Sequence, residues 1–188
     1  FNEVAKKYYP LLEVGKVYEF QNGQVKKRGN FNKTNNELEI SFNAKSLIMA
    51  SKSEGGVPKS IYDFVKLKNI KEMSGNQFCD VIVVVKEIMP PGEFRNKKGE
   101  TGAKQMLKVV DDSGFEIGIT FFGNEHSEDI KQLRVGEAAI FTFMRVSEFG
   151  GGKELSASFS TKIITTLPET PMTREFIIWR NQNYSKLP

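Results

Sequence analysis

Twice in this chain a basic residue stands a few positions before a lone aromatic in a polar or Gly-rich setting: Lys26 before Phe31, and Arg145 before Phe149, with Gly150, Gly151 and Gly152 following. A loop-tip ring with little local core to enter can stack on a planar group. A cation beside it can neutralise an anion. Together they suit a flexible strand of bases linked by phosphates. The two sets belong to a repeat. FNEVAKKYYPLLEVG begins at Phe1 and FGNEHSEDIKQLRVG at Phe122, so that Leu12, Val14 and Gly15 match Leu133, Val135 and Gly136. A strand-like run, then the basic residue, then the aromatic follow in both copies, which marks a duplicated module. Phe122 is a further ring of interest. Alternation over Phe115, Ile117, Ile119 and Phe121 points Phe121 inward and Phe122 outward.

Cations gather around these rings. Arg95, Lys97, Lys98 and Lys104 lie in or beside the polar segment PPGEFRNKKGETGAK, Arg145 and Lys153 flank Phe149, and Ser147 stands between Arg145 and the ring as a hydrogen-bond donor. Lys26, with Phe31 and Glu39, forms the corresponding set in the first copy, and its place before Phe31 mirrors that of Arg145 before Phe149. Catalytic signals are weak. Asp111 and Asp112 occupy a DDSG sequence where Asp serves a turn, and His126 is expected to face solvent in the first turn of a helix. No Gly-Lys-Ser/Thr phosphate loop opens a helix. With Cys79 the only cysteine and His126 the only histidine, neither an intramolecular disulfide nor a Cys/His metal site can be assembled, and a reducing, intracellular setting is expected. No cofactor, metal or enzymatic activity is expected.

The 188 residues are 39% hydrophobic and 27% charged, with a net charge of +4 that is compatible with a polyanionic partner without demanding one. No apolar run reaches membrane-spanning length, so no membrane partner is expected. The chain starts at Phe1, already inside the repeated motif, which suggests a piece of a longer protein. Residues 78–89 form a β-branched strand run ended by Pro90 and Pro91; two strands joined by DDSG follow, then a short helix over 124–133 begun by Asn124, then strands near 137–147 and 153–165. The order β-β-β-α-β-β is that of an all-β OB-fold, a five-stranded Greek-key barrel with a helix between its third and fourth strands. The expected division is the latter half of a first OB-fold (1–44), a Ser-, Gly- and Lys-rich linker (45–60), a complete OB-fold (61–167), and a connector (168–188) whose helix places Phe176, Ile177 and Trp179 against a neighbour. The segment YDFVKLKNI is expected to add a preliminary strand.

FNEVAKKYYPLLEVGKVYEFQNGQVK, ELEISFN, VVDDSGFEIGITFFGNE, RVSEFGG and REFIIWRNQN, in that order, resemble the large subunit of replication protein A, the eukaryotic single-stranded DNA-binding complex. The resemblance covers nearly the whole chain. It implies single-stranded DNA as the ligand, in replication, repair and recombination in the nucleus, and other subunits of a heterotrimer met through regions outside this chain. It also implies that Phe1 and Phe31 are the stacking pair of the first module with Lys26 and Glu39, and Phe122 and Phe149 the pair of the second with Arg145, Ser147 and Lys104. Arg95, Lys97 and Lys98 match the family's basic loop only loosely. Many members carry Trp where this chain has Phe122, a larger ring. Two other readings stand beside this one: a telomeric or telomerase-associated paralogue that prefers G-rich strands, and an OB module whose groove takes an acidic peptide.

Overall fold

The computed structural model describes residues 3–13, 16–32, 34, 36–51, 62–96 and 98–186, with the side chain of Phe149 also outside what is described. The chain divides into two compact units, residues 1–61 and 62–188.

The first unit contains α1 (Glu3–Tyr8), β1 (Tyr18–Gln21), β2 (Gln24–Lys27), β3 (Leu38–Ser41) and β4 (Leu47–Ala50). β1 pairs antiparallel with β4, and β2 with β3. Residues 47–50, expected as linker, are therefore strand; the apolar run Leu47–Met49 has a partner edge in β1 and takes it. Few side chains are buried here. Tyr8 is, its hydroxyl donating to the Ser46 carbonyl at 3.1 Å, whereas Phe20, Val25, Ile40 and Met49 stay exposed. Val4, Ala5, Tyr8, Leu12, Phe42 and Ile48 line an apolar concavity of about 600 Å³. Among the described residues of this unit, α1 and the four short strands supply one wall of a barrel and no opposite wall.

The second unit runs α2 (Leu67–Ile70), β5 (Phe78–Ile88), β6 (Gly92–Arg95), β7 (Thr101–Val110), β8 (Glu116–Phe122), α3 (Ser127–Lys131), β9 (Ala138–Phe149), β10 (Gly152–Ser156), β11 (Lys162–Ile164) and α4 (Pro171–Asn183). Five of these strands close on one another in the order β5-β7-β8-β10-β9-β5, with β10 parallel to β8, which makes the OB barrel. β6 folds back on the start of β7, so the polar segment after β5 is a hairpin. The glycines after Phe149 form a tight turn. Gly150 and Gly151 have φ of +60° and +83°, which lets Phe149 pair directly with Gly152.

Val81, Val83, Val85, Leu107, Ile119, Phe121, Phe141 and Leu155 fill the barrel. Leu67 and Ile70 plug one part of it. That segment was expected as a strand; beyond a single bridge at Phe64 it makes one helical turn, whose Leu67 N–H is held by Asp111 Oδ2 at 2.8 Å. Phe115, expected inside, sits in the turn before β8 and is exposed. Part of the outer face of β5 is also covered. Ile82, Val84, Val110, Ala138 and Ile140 pack under Phe176 of α4, with Trp179 and Ile177 beside it, which explains why β5 is apolar at consecutive positions. The neighbour of α4 is thus this unit's own barrel. Thr170 and Thr173 close a capping box at its start, and Pro171 occupies the first turn where no donor is needed.

Phe176 is 3% exposed. Phe176→Ala is expected to lower the unfolding free energy by about 3 kcal/mol in urea titrations; a loss under about 1 kcal/mol would show that α4 adds little to the barrel.

Candidate functional site

The strand register decides which side chains meet on the barrel's outer surface. Met106 pairs with Thr120, Thr120 with Ser156, and Ser156 with Arg145, a row that crosses β7, β8, β10 and β9. In adjacent rows Lys104 stands opposite Phe122, and Ser147 opposite Glu154. With Phe94 and Arg95 from β6 and with Glu148, these residues line a cleft of about 440 Å³; Ser156 is buried beneath it. Phe94 meets Phe122 edge to face, centroids 4.8 Å apart at 73°, and Phe122 remains 45% exposed beside the inward Phe121.

Arg145 and Ser147 face this cleft because β9 is interrupted. Ala139 and Phe141 are in the core, and strict alternation would carry residues 143, 145 and 147 inward after them; instead Met144 and Val146 are buried. The phase resets at Phe143, whose φ of +54° is left-handed, and opposite it the β5 register jumps between Cys79 and Val81. This is a β-bulge. Asp80 holds it: Oδ1 accepts the Phe143 N–H at 2.8 Å while Oδ2 accepts the Asp63 N–H at 2.9 Å. The hydroxyls of Ser158 and Thr161 donate to the Phe143 carbonyl at 3.0 and 3.1 Å. A left-handed residue bearing a Cβ costs roughly 1–2 kcal/mol, and these bonds offset it.

The charge of the cleft is mixed. Arg145 Nε donates to Ser156 Oγ at 3.2 Å, and its other guanidinium nitrogens make no hydrogen bond among the described residues. Arg95 Nε donates to the Gly99 carbonyl at 3.1 Å. Lys104 has no ion pair among the described residues. Against these cations stand the carboxylates of Glu148 and Glu154. The chemistry on offer is a stacking ring, cations for phosphate oxygens, and acceptors for amino groups on a base edge.

The first unit repeats this geometry on its own hairpin. The spacing from Phe1 to Phe122 carries Asn22 onto Phe143, and Asn22 also has a left-handed φ, +56°. Gln24 is then the counterpart of Arg145, and Lys26 that of Ser147, as the cross-strand pairs Lys26–Glu39 and Ser147–Glu154 also require. The expected equivalence of Lys26 with Arg145 is therefore displaced by one alternation step, because the loops before the two aromatics differ in length. Lys26 Nζ lies 3.2 Å from Glu39 Oε1, and Glu39 Oε2 accepts the Gly29 N–H at 3.1 Å. The Gly29 amide first, and then Lys26, hold the Glu39 carboxyl below its ordinary value of 4.5. Phe31 is 92% exposed.

A family model described as the replication protein A OB domain matches residues 67–166. The chain belongs to the replication protein A OB-domain family. It is 30% identical over 193 residues to replication factor A protein 1 of Saccharomyces cerevisiae, covering all of this chain and 30% of that protein. It is 32% identical over 181 residues to the probable replication factor A 73 kDa subunit of Caenorhabditis elegans, covering 95% of this chain and 27% of the relative. The chain thus spans under a third of the length of these curated relatives. Among solved structures, a replication protein A heterotrimer bound to single-stranded DNA superposes with a TM-score of 0.64 at 24% identity, over 98% of this chain and 43% of that one, and shows the same fold.

Of the residues singled out from sequence, Phe122, Arg145, Ser147, Lys104 and Arg95 line the one cleft. Lys98 sits in the exposed turn between β6 and β7. Lys153 does not line the cleft: its ammonium donates to the Met73 carbonyl and lies 3.8 Å from Glu148, since alternation along β10 gives the cleft position to Glu154. His126 is not solvent-facing; its side chain is largely buried, edge-on to Phe121, with Nε2 3.3 Å from the Ser158 carbonyl. Asn124 does not cap α3, which is preceded directly by His126. Phe1, Lys97 and the Phe149 side chain lie outside the described residues. Phe94, Met106, Thr120, Glu148 and Glu154 were missed. Period-two alternation around Leu155 and Leu107 would have found Glu154 and Met106; Phe94 was hidden because its segment reads as a polar loop. Cys79 is buried in the core, and burial first, then Asp80 and Asp63, push its thiol up to about 12, so it is no nucleophile.

Because Glu39 titrates below its ordinary value in the folded state, the stability it contributes is present above pH 4.5 and is lost as the pH falls through the lowered value. Carboxyl NMR titration is expected to place its midpoint below 4.5, and Lys26→Ala to raise it only in part, since the Gly29 amide remains. A midpoint at or above 4.5 would remove the ion pair from solution.

Proposed function

We propose that this chain binds single-stranded DNA in replication, laying the strand across the cleft of the second unit. In this reading bases stack on Phe122 and on Phe149, the latter by its place before the Gly-rich turn, while Arg145, Lys104 and Arg95 take phosphates and Ser147 donates to a phosphate or a base edge. The observation that carries it is the convergence of an exposed ring and three cations on one OB-fold cleft, in a chain of the replication protein A family. Exposed ring faces accept any base, and cations supply the bulk of non-specific affinity.

Lys26, Glu39 and Phe31 give the first unit a hairpin of the same design. Two weak sites on one chain raise each other's effective concentration, which accounts for the repeat. Phe1, Lys97 and Lys98 enter the proposal by sequence position alone. The similarity to a heterotrimer bound to single-stranded DNA supports the further proposals that other subunits assemble outside this segment, that the work is nuclear, and that it extends to repair and recombination without enzymatic chemistry.

Phe122→Ala is expected to weaken oligothymidine binding by about 5- to 100-fold at fixed salt, measured by fluorescence anisotropy. Arg145→Ala is expected to reduce the slope of log K against log salt by about 0.7, the contribution of one phosphate on a single strand. Unchanged affinity in the first variant and an unchanged slope in the second would remove this mechanism.

A further inference from the structure

Phe78 is the direct cross-strand partner of Arg145, so an aromatic lies immediately beyond the last cation of the cleft. Its ring stacks on Phe143, centroids 4.5 Å apart and planes at 28°. Both rings are partly accessible on the outer face of β5 and β9, and neither belongs to a core cluster.

Phe143 is an unusual occupant of its position. The backbone there is left-handed, as it is at Asn22 in the first copy, and Asn or Gly meets that requirement with little strain while a bulky ring does not. The bulge uses only the Phe143 main chain, through Asp80, Ser158 and Thr161. None of the bonds that hold the bulge involves the ring itself. Phe159 is the third ring. It is 98% exposed, yet it sits on a built turn: Ser158 N–H donates to Thr161 Oγ1 at 2.8 Å, and both hydroxyls reach the Phe143 carbonyl. That turn continues β10 directly from Ser156, the residue beneath Arg145.

We propose that the strand-binding surface continues past Arg145 onto Phe78, Phe143 and Phe159, which take further nucleobases of the same single strand. The inference rests on the reading of the cleft as a single-strand site. Its occupant follows from continuity: the platform adjoins Arg145, and the Asp80 carboxylate beside it is turned to the Phe143 and Asp63 backbone amides and not outward to a phosphate. Stacking of this kind is tolerant of sequence, so the platform lengthens the footprint without adding a base preference.

The test uses the 188-residue chain and a double variant, Phe143→Gly with Phe159→Ser, against oligothymidines of about 4 to 16 nucleotides. Glycine suits the left-handed position, so the thermal midpoint of the variant is expected to stay at or above that of the parent chain. Affinities are expected to coincide on the shortest strands and to separate with length, the variant levelling off earlier and ending at least about tenfold weaker. Curves that run parallel at every length, coincident or displaced by a constant factor, would overturn the proposal and leave the platform to some other partner. Failure of the parent chain to bind at any length would instead overturn the single-strand reading itself.

Discussion

The hydrogen bond from the Phe143 amide to Asp80 sets which face of β9 meets the cleft. A strand's side chains alternate without exception until the backbone is interrupted, and one added residue turns every later position over. Ala139 and Phe141 enter the core on one phase, Met144 and Val146 on the other, and only because the phase changes does Arg145 stand outside at all. The carboxylate that fixes this change carries no functional group to a ligand. It acts on the backbone, and its second oxygen ties the segment before β5 to the same point. The first unit makes the same turn at Asn22, a residue suited to it, which identifies the interruption as part of the module's design.

Closure of the barrel is what separates the two units. In the second, the ring of strands buries one face inside and α4 covers part of the outside, leaving the cleft as a bounded surface. In the first, equivalent pairings exist, yet Phe20, Ile40 and Met49 remain exposed, because the described residues of that unit supply no strands opposite them. Strand pairing satisfies the backbone locally; apolar burial requires a second wall.

Electrostatics in the cleft favour placement over raw attraction. Arg95, Lys104 and Arg145 share it with Glu148 and Glu154, so the local excess of positive charge is small. In the proposed reading, cations spaced along a row of strands would fix where a phosphate chain runs, while rings between them would supply affinity that salt does not screen. The Lys26–Glu39 pair has the same character: it is partly exposed, adds only modestly to stability, and holds an ammonium at one register position of a hairpin.

The repeat, the strand order and the outward direction of Phe122 were legible in the residues, since period, turn chemistry and alternation are local properties. So was the likeness to the replication protein A family, carried by motifs in order. The cleft as an assembly was not. Phe94 joins Phe122 because β6 folds back on β7, Lys153 yields to Glu154 because of its phase along β10, and α4 meets its own barrel where a distant neighbour was expected. Most of all, the outward turn of Arg145 depends on an acid some sixty residues earlier in the chain, at Asp80. Residue order prescribes which way a side chain points relative to its neighbours; which of two faces becomes the binding face is decided when distant strands pair and one bulge selects the phase.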